Sequence, residues 1–285
     1  MKKIIIVTGA SSGMGKEFLL QILEKEPNID EIWAIARREE KLLELKKEFN
    51  KKIIPLKLDL SNEKDLLKYK EQLDKEKPNV FILANCAGFG IFDHSENIDT
   101  NIKLNMIDLN VKAPVALIDY TLPYMQKDSK IMNVVSCAGF QPIPYINDYA
   151  ATKSFLLSYS RALNQELKYK NIHVLAVTPY WTKTEFFTRA IDTNKKKVVI
   201  NYNAMYEAQE VIKLAIKDLY NPKKDISCYG FMNKFQKLLT KLLPHKLVMK
   251  VWLNQQKLDG TPNIREDKWK EENNLSSFYI DKYYK

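Results

Sequence analysis

The chain has 285 residues, 45% hydrophobic and 28% charged, an ordinary globular balance able to bury a core in one α/β domain with an appendage. Its net charge of +10 comes mainly from lysines spread along the sequence, without an arginine-rich arm, zinc-ligand spacing or base-stacking signature, which argues against a nucleic-acid partner. No stretch approaches the roughly 20 apolar residues of a membrane span, and Cys86, Cys137 and Cys228 lack CxxC spacing, so a reducing, cytoplasmic setting is expected.

The apolar run at 4–7 is too short for a signal peptide and reads as a first strand. It leads into Thr8-Gly9-Ala10-Ser11-Ser12-Gly13-Met14-Gly15 and a helical pattern at 14–25; three of the eight glycines fall in the seven positions from Gly9 to Gly15. Glycines there let the chain turn tightly and bring a helix N-terminus, with its free N–H groups and dipole, up to a pyrophosphate. A second strand at 32–36 ends at Ala36, where NAD enzymes usually place a carboxylate for the ribose hydroxyls. Arg37 and Arg38 follow instead, and a guanidinium pairs with a 2′-phosphate through parallel hydrogen bonds. This favours NADP(H) over NAD(H), with Ser11 and Ser12 as further donors.

A helix at 39–49 and a strand at 53–58 lead to Asp59-Leu60-Ser61, which is equally a helix N-cap signal. A helix at 62–76, a strand at 80–84 and the small-residue segment Asn85-Cys86-Ala87-Gly88 come next. The long helical pattern at 101–127 contains Asn110, an indifferent helix former, with Asn105 as an alternative inward residue. The strand at 131–135 ends at Ser136, and the helix at 148–170 carries Tyr149 and Lys153, four residues apart on one face. A phenol has an ordinary pKa of ~10, and a neighbouring ammonium favours its ionised form. Such a pair arises easily by chance; Ser136 at a strand's carboxyl end, where ligands of open α/β sheets bind, gives it weight.

A strand at 174–177 precedes Thr178-Pro179-Tyr180-Trp181-Thr182-Lys183-Thr184. The pattern then loosens over 180–205, which includes Lys195, Lys196 and Lys197, and a substrate-covering segment is expected there. A helix at 207–220, an apolar piece at 226–229, a basic amphipathic stretch at 231–255 interrupted by Pro244, and a polar, tyrosine-rich end complete the chain. Strand and helix alternating in this way predict a doubly wound parallel sheet with right-handed crossovers. The stretch at 231–255 is expected to pack on the domain with its lysines in water, in preference to lying on a membrane surface. The three histidines offer no metal site.

The TGxxxGxG spacing of Thr8 to Gly15, the Asn-Cys-Ala-Gly at 85–88, Leu122-Pro123-Tyr124-Met125, and Ser136 thirteen residues before the Tyr149–Lys153 pair resemble the short-chain dehydrogenase/reductase family, over about residues 1–230. The likeness is to its NADP-preferring members of 3-oxoacyl reductase and hydroxysteroid dehydrogenase type. It implies a Rossmann-like catalytic domain at 1–230, with 231–285 as a C-terminal extension, and a homodimer or homotetramer built on the helices at 101–127 and 148–170. It implies that Tyr149 exchanges a proton with a carbonyl or alcohol oxygen, that Ser136 bonds the same oxygen, and that Lys153 holds the nicotinamide ribose. It also implies that Asn110 interrupts its helix, its backbone carbonyl holding a water near Lys153. Gly9, Ser11, Ser12, Gly13, Met14, Gly15, Arg37, Arg38, Asp59, Leu60, Asn85, Ala87, Gly88, Tyr149, Lys153, Pro179, Thr182 and Thr184 are the expected cofactor contacts. Asp59 would meet the adenine, and Thr184 the carboxamide. Tyr180 departs from the family, which has Gly there, and this puts the backbone beside the nicotinamide in question.

The substrate wall is expected from Phe89, Phe92, His94, Phe140, Ile143, Tyr145, Tyr180, Trp181, Phe186 and Phe187, suiting a hydrophobic carbonyl or alcohol. A non-enzymatic dinucleotide sensor on the same fold is the alternative. A sugar-nucleotide epimerase fits less well, since it would show TGxxGxxG spacing.

Overall fold

The computed structural model describes residues 1–49, 52–191 and 198–258. The elements are β1 (Lys3–Thr8), α1 (Gly13–Lys25), β2 (Glu31–Ala36), α2 (Glu39–Phe49), β3 (Ile53–Lys57), α3 (Glu63–Glu76), β4 (Asn79–Asn85), α4 (Thr100–Ile107), α5 (Ala113–Thr121), β5 (Lys130–Val134), α6 (Asn147–Glu166) and β6 (His173–Val177). Then follow β7 (Thr182–Lys183), α7 (Phe186–Ile191), β8 (Tyr206–Glu207), α8 (Ala208–Leu219), β9 (Ile226–Ser227), α9 (Phe231–Leu242) and α10 (His245–Gln255).

Seven strands form one sheet in the order β3-β2-β1-β4-β5-β6-β9, every pairing parallel. The apolar runs are continuous because both faces are covered. Ile5 and Val7 pack with Phe18, Leu19 and Ile22 of α1 and Ile212 of α8, whereas Ile4 and Ile6 point the other way, to Leu66 and Tyr69 of α3 and Leu117 of α5. Burying each such aliphatic side chain contributes about 1.5–3 kcal/mol. Because β1 has β2 on one side and β4 on the other, the order reverses there, opening a crevice beyond the carboxyl ends of both strands.

Two expectations are corrected. The helix predicted over 101–127 is α4, a π-helical turn at Asp108–Lys112 and α5, closing through a 3₁₀ turn at Leu122–Tyr124, where Pro123 has no N–H for the ladder. The basic stretch at 231–255 is interrupted at Pro244 as expected, two helices meeting at Leu243-Pro244. The segment 180–205 is not loose throughout: β7 pairs with β8, and Val198 and Val199 are buried. Lys195, Lys196 and Lys197 lie outside the described residues, as does the chain from 259 to 285.

The start of the extension is fastened to the sheet end. Asn233 Nδ2 donates to the Thr178 carbonyl (2.6 Å) and Trp252 Nε1 to that of Pro144 (3.1 Å). Gln256 Oε1 accepts from the N–H groups of Ile200 and Asn201, both at 2.9 Å.

Candidate active site

The glycine-rich turn lies at the mouth of the crevice. Gly9 has φ +65°, a left-handed conformation that a side chain disfavours, and a Cβ on Gly15 would sit 2.3 Å from the Gly9 carbonyl oxygen. The α1 N-terminus therefore abuts the end of β1. Its N-cap Ser12 has an extended backbone and a side chain that caps nothing, and its first turn holds no acidic residue. Free N–H groups, an uncommitted hydroxyl and an unopposed helix dipole fit the pyrophosphate of a dinucleotide. A cavity of about 340 Å³ over this turn is lined by Gly9, Ser11, Ser12, Gly13, Met14, Gly15, Arg37, Arg38, Asp59, Leu60, Ala87, Gly88 and Thr184, all expected from the sequence.

The two arginines are already engaged. Arg38 Nη2 reaches Glu185 Oε2 at 2.7 Å and Ser11 Oγ at 3.2 Å, and Arg37 Nη1 is 4.0 Å from Asp59 Oδ2. Glu185, a cavity residue the sequence reading missed, is the carboxylate a 2′-phosphate would have to replace on Arg38. Asp59 Oδ1 accepts from the N–H and hydroxyl of Ser61, while Asn62 caps α3, so the cap lies three residues beyond Asp59.

Asn85 does not line this cavity. Buried in the sheet, its Nδ2 donates to Asn133 Oδ1 (2.9 Å), and Asn133 donates to Ser160 on α6 (2.8 Å). The loop after β4 is held from below by Thr8, also missed, whose Oγ1 accepts from the N–H groups of Cys86 and Ala87 at 3.0 and 3.1 Å. Asn110 is fully buried within the π-helical turn. Its Oδ1 accepts from Phe89 N–H (3.1 Å), and its Nδ2 donates to the Phe89 carbonyl (2.8 Å) and Thr152 Oγ1 (3.1 Å). One amide thus ties the β4 loop to α6 beside Lys153.

Ser136, Tyr149 and Lys153 come together in a second cavity of about 200 Å³. Ser136 lies two residues beyond β5 with an extended backbone, and its Oγ accepts from Ala138 N–H at 3.1 Å. Tyr149 and Lys153 project from the first turns of α6, with the Lys153 Nζ 5.7 Å from the Tyr149 ring centre and donating to the Val134 carbonyl (2.9 Å). Burial pushes the Tyr149 phenol above its ordinary value, and the Ser136 hydroxyl beside it pulls the other way. Burial lowers Lys153 to about 8, with Cys86 partly offsetting this. Lys153 is not among the groups acting on the phenol here: its ammonium donates to the Val134 carbonyl, and desolvation dominates.

The two cavities share Met14, Cys86, Gly88, Thr184 and Phe186, and so form one trough. Pro179, Tyr180 and Thr182 line the second; the Pro179 carbonyl accepts from Cys137 N–H (2.9 Å), and Thr182 Oγ1 donates to the Tyr180 carbonyl (3.0 Å). Tyr180 does not have positive φ, so the residue replacing the family's Gly is accommodated without backbone strain. Of the expected substrate wall, Phe92, Ile143, Tyr180, Trp181, Phe186 and Phe187 line the second cavity. Phe89 lines the first, whereas His94, Phe140 and Tyr145 line neither. The reading missed Met232, Leu239, Leu243, Val248 and Trp252, apolar residues of the extension that line the same cavity.

The family described as short chain dehydrogenase matches residues 3–195. Over 203 residues, 68% of this chain and 77% of the relative, the sequence is 34% identical to the NADP-dependent 3-hydroxy acid dehydrogenase of Schizosaccharomyces pombe. Among solved structures, a short-chain dehydrogenase from Sphingobium yanoikuyae in complex with NADPH is similar with a TM-score of 0.69 and 25% identity, over 87% of this chain and 95% of that one. Another from Streptomyces avermitilis reaches a TM-score of 0.72 at 20% identity, over 90% and 96% of the two chains, a likeness of fold.

Proposed function

The chain belongs to the short-chain dehydrogenase family, and from that premise we propose that Ser136, Tyr149, Lys153 and Asn110 serve the reduction of a carbonyl on a hydrophobic small molecule, or oxidation of the matching alcohol. It is an NADP(H)-dependent oxidoreductase. The observation that carries the site assignment is the trough itself: an anion-accepting cleft runs into an apolar cavity, and a hydroxyl, a phenol and an ammonium line the cavity.

When bound, NADPH supplies the hydride. The Gly9–Gly15 turn with Ser11 and Ser12 would hold its pyrophosphate, Arg37 and Arg38 the 2′-phosphate, Asp59 and Leu60 the adenine, and Ala87, Gly88 and Lys153 the riboses. Pro179, Thr182 and Thr184 would face the carboxamide. Tyr149, kept protonated at neutral pH by burial, gives its proton to the carbonyl oxygen, while Ser136 donates a hydrogen bond to the same atom as charge grows there. Asn110 positions Lys153 and the β4 loop. Residues 1–230 are read as the catalytic unit and the start of the 231–285 extension as the cover of its substrate cavity.

The test is NADPH absorbance against a panel of hydrophobic ketones and 3-oxoacyl thioesters. Tight NADPH binding with no turnover on any of them would overturn the reading in favour of a sensor. Replacing Arg37 and Arg38 together by Ala is expected to raise KM for NADPH roughly ten- to hundredfold, the worth of charge-assisted hydrogen bonds, with little change for NADH. Equal effects on both coenzymes would remove the arginines from the 2′-phosphate.

The reading includes a homo-oligomer through α4 and α6, supported by the exposed Ile102, Leu104, Ile107 and Phe155. Leu104→Asp with Phe155→Asp is expected to give monomers in sedimentation velocity; unchanged mass would place the interface elsewhere.

A further inference from the structure

Helix α9 presents a different surface on each side. At about 100° per residue, Met232, Gln236, Leu239 and Leu243 fall on one side and line the substrate cavity, while Asn233 and Thr240 are buried. Phe231, Phe235, Leu238 and Leu242 form another stripe, exposed by 78, 44, 53 and 70%. Lys234, Lys241, Lys246 and Lys250 are in water and Lys237 is half-buried, but this row of large apolar side chains is exposed too. On α10, Leu247 and Val251 are exposed as well. Phe235 and Val251 also line the substrate cavity, so the exposed apolar surface continues into its wall.

Beside the stripe lies a recess of about 400 Å³ lined by Lys224, Lys234, Lys237 and Lys241, with Leu238 on its rim and Asp218 as its one acid. None of the four lysines joins an ion pair among the described residues. Burial holds the Lys237 ammonium below its ordinary value; Lys241 and Arg161 add to the effect, while Cys228 and Asp225 oppose it.

We propose that this face of α9 and α10 docks on an anionic phospholipid leaflet, with the Phe231, Phe235, Leu238 and Leu242 stripe entering the headgroup region and the lysine recess receiving phosphate headgroups. An exposed apolar row flanked by lysines on an amphipathic helix is the chemistry of interfacial binding. A second copy of the chain is a poor occupant, because a two-fold contact would set one lysine recess near the other. No described helix is long and apolar enough to cross a membrane, so the contact is peripheral. The cavity then opens toward the bilayer, and a lipophilic substrate reaches Tyr149 from the lipid without crossing water. The docking does not depend on the reaction assigned above.

The test is co-sedimentation of the full chain with vesicles of phosphatidylcholine alone and of phosphatidylcholine with phosphatidylglycerol. Binding is expected to the anionic vesicles, to weaken in high salt, and to fall at least roughly tenfold in Lys234→Glu/Lys241→Glu, since each lysine at such a surface is worth about fivefold. Phe231→Glu/Leu242→Glu, which touches neither cavity, is expected to lose vesicle binding while keeping NADPH binding and far-ultraviolet dichroism. Should that variant fail to fold, the lysine pair, both in solvent, carries the test alone. Wild-type chain left in the supernatant, equal binding to both vesicle types, or undiminished binding of the folded variants would overturn the proposal. So would a wild-type dimer that Phe231→Glu/Leu242→Glu dissolves, which would give the face to a second copy.

Discussion

Tyr149→Phe is expected to lower kcat/KM for carbonyl reduction by roughly 10²- to 10⁴-fold, the usual worth of a positioned general acid, while leaving NADPH affinity unchanged. The substitution keeps the ring, which packs edge-on to Phe92 at 6.2 Å and tilted against Phe186 at 5.4 Å, and removes only the proton donor. The pH profile separates the groups. Burial raises the phenol, so it remains an acid through the neutral range. Lys153 is lowered to about 8: below that pH it carries its charge, and above it the charge is lost, so wild-type reduction is level at neutral pH and declines as pH rises through about 8. The same shift has a sign for stability. Between about 8 and 10.5 the folded chain binds fewer protons at Lys153 than the unfolded chain, so this group's penalty on folding is full below about 8 and is relieved as pH rises through that window. A variant within about tenfold of wild type, below the worth of a general acid, would remove Tyr149 from the proton transfer.

Gly15→Ala is expected to damage both the fold and coenzyme binding. The new Cβ would stand 2.3 Å from the Gly9 oxygen, 2.7 Å from its carbon and 3.0 Å from the Thr8 oxygen, all backbone atoms that cannot swing aside. Relief requires α1 to move away from β1. Overpacking of this kind costs about 1–3 kcal/mol, a fall in Tm of roughly 2–12 °C for a domain of this size. The displaced helix N-terminus also loses its aim, so NADPH affinity should drop by one to two orders of magnitude, the worth of one or two charge-assisted hydrogen bonds. Fluorescence titration and a thermal melt read both effects. Wild-type values in both would mean that α1 does not need its close seat on β1.

The strands were legible because burial on both faces of a parallel sheet leaves unbroken apolar runs, and β1 to β6 lie within a residue or two of the predicted spans. The trough was legible where chemistry forces composition: glycines where backbone meets backbone, and Ser136, Tyr149 and Lys153 at strand and helix ends. What escaped is tertiary. Nothing local to Glu185 says that it faces Arg38, 147 positions earlier in the chain. Thr8 was read as a motif letter, although its hydroxyl carries two N–H groups of the β4 loop. Asn85 was counted with its loop because the motif gives no side-chain direction, and the sheet claims it instead. In α9 the period of Met232, Gln236, Leu239 and Leu243 was present in the sequence, but an amphipathic pattern with two apolar stripes does not say which one faces inward.

The Arg38–Glu185 pair sets a condition on traffic through the trough. A newcomer that claims the guanidinium leaves the carboxylate seeking another mate, and Glu185 is the chain neighbour of Phe186, whose ring leans on Tyr149. The pair thus joins the adenosine end of the trough, through one peptide bond, to the ring that packs on Tyr149, and a guest that took the guanidinium would first have to part it from Glu185.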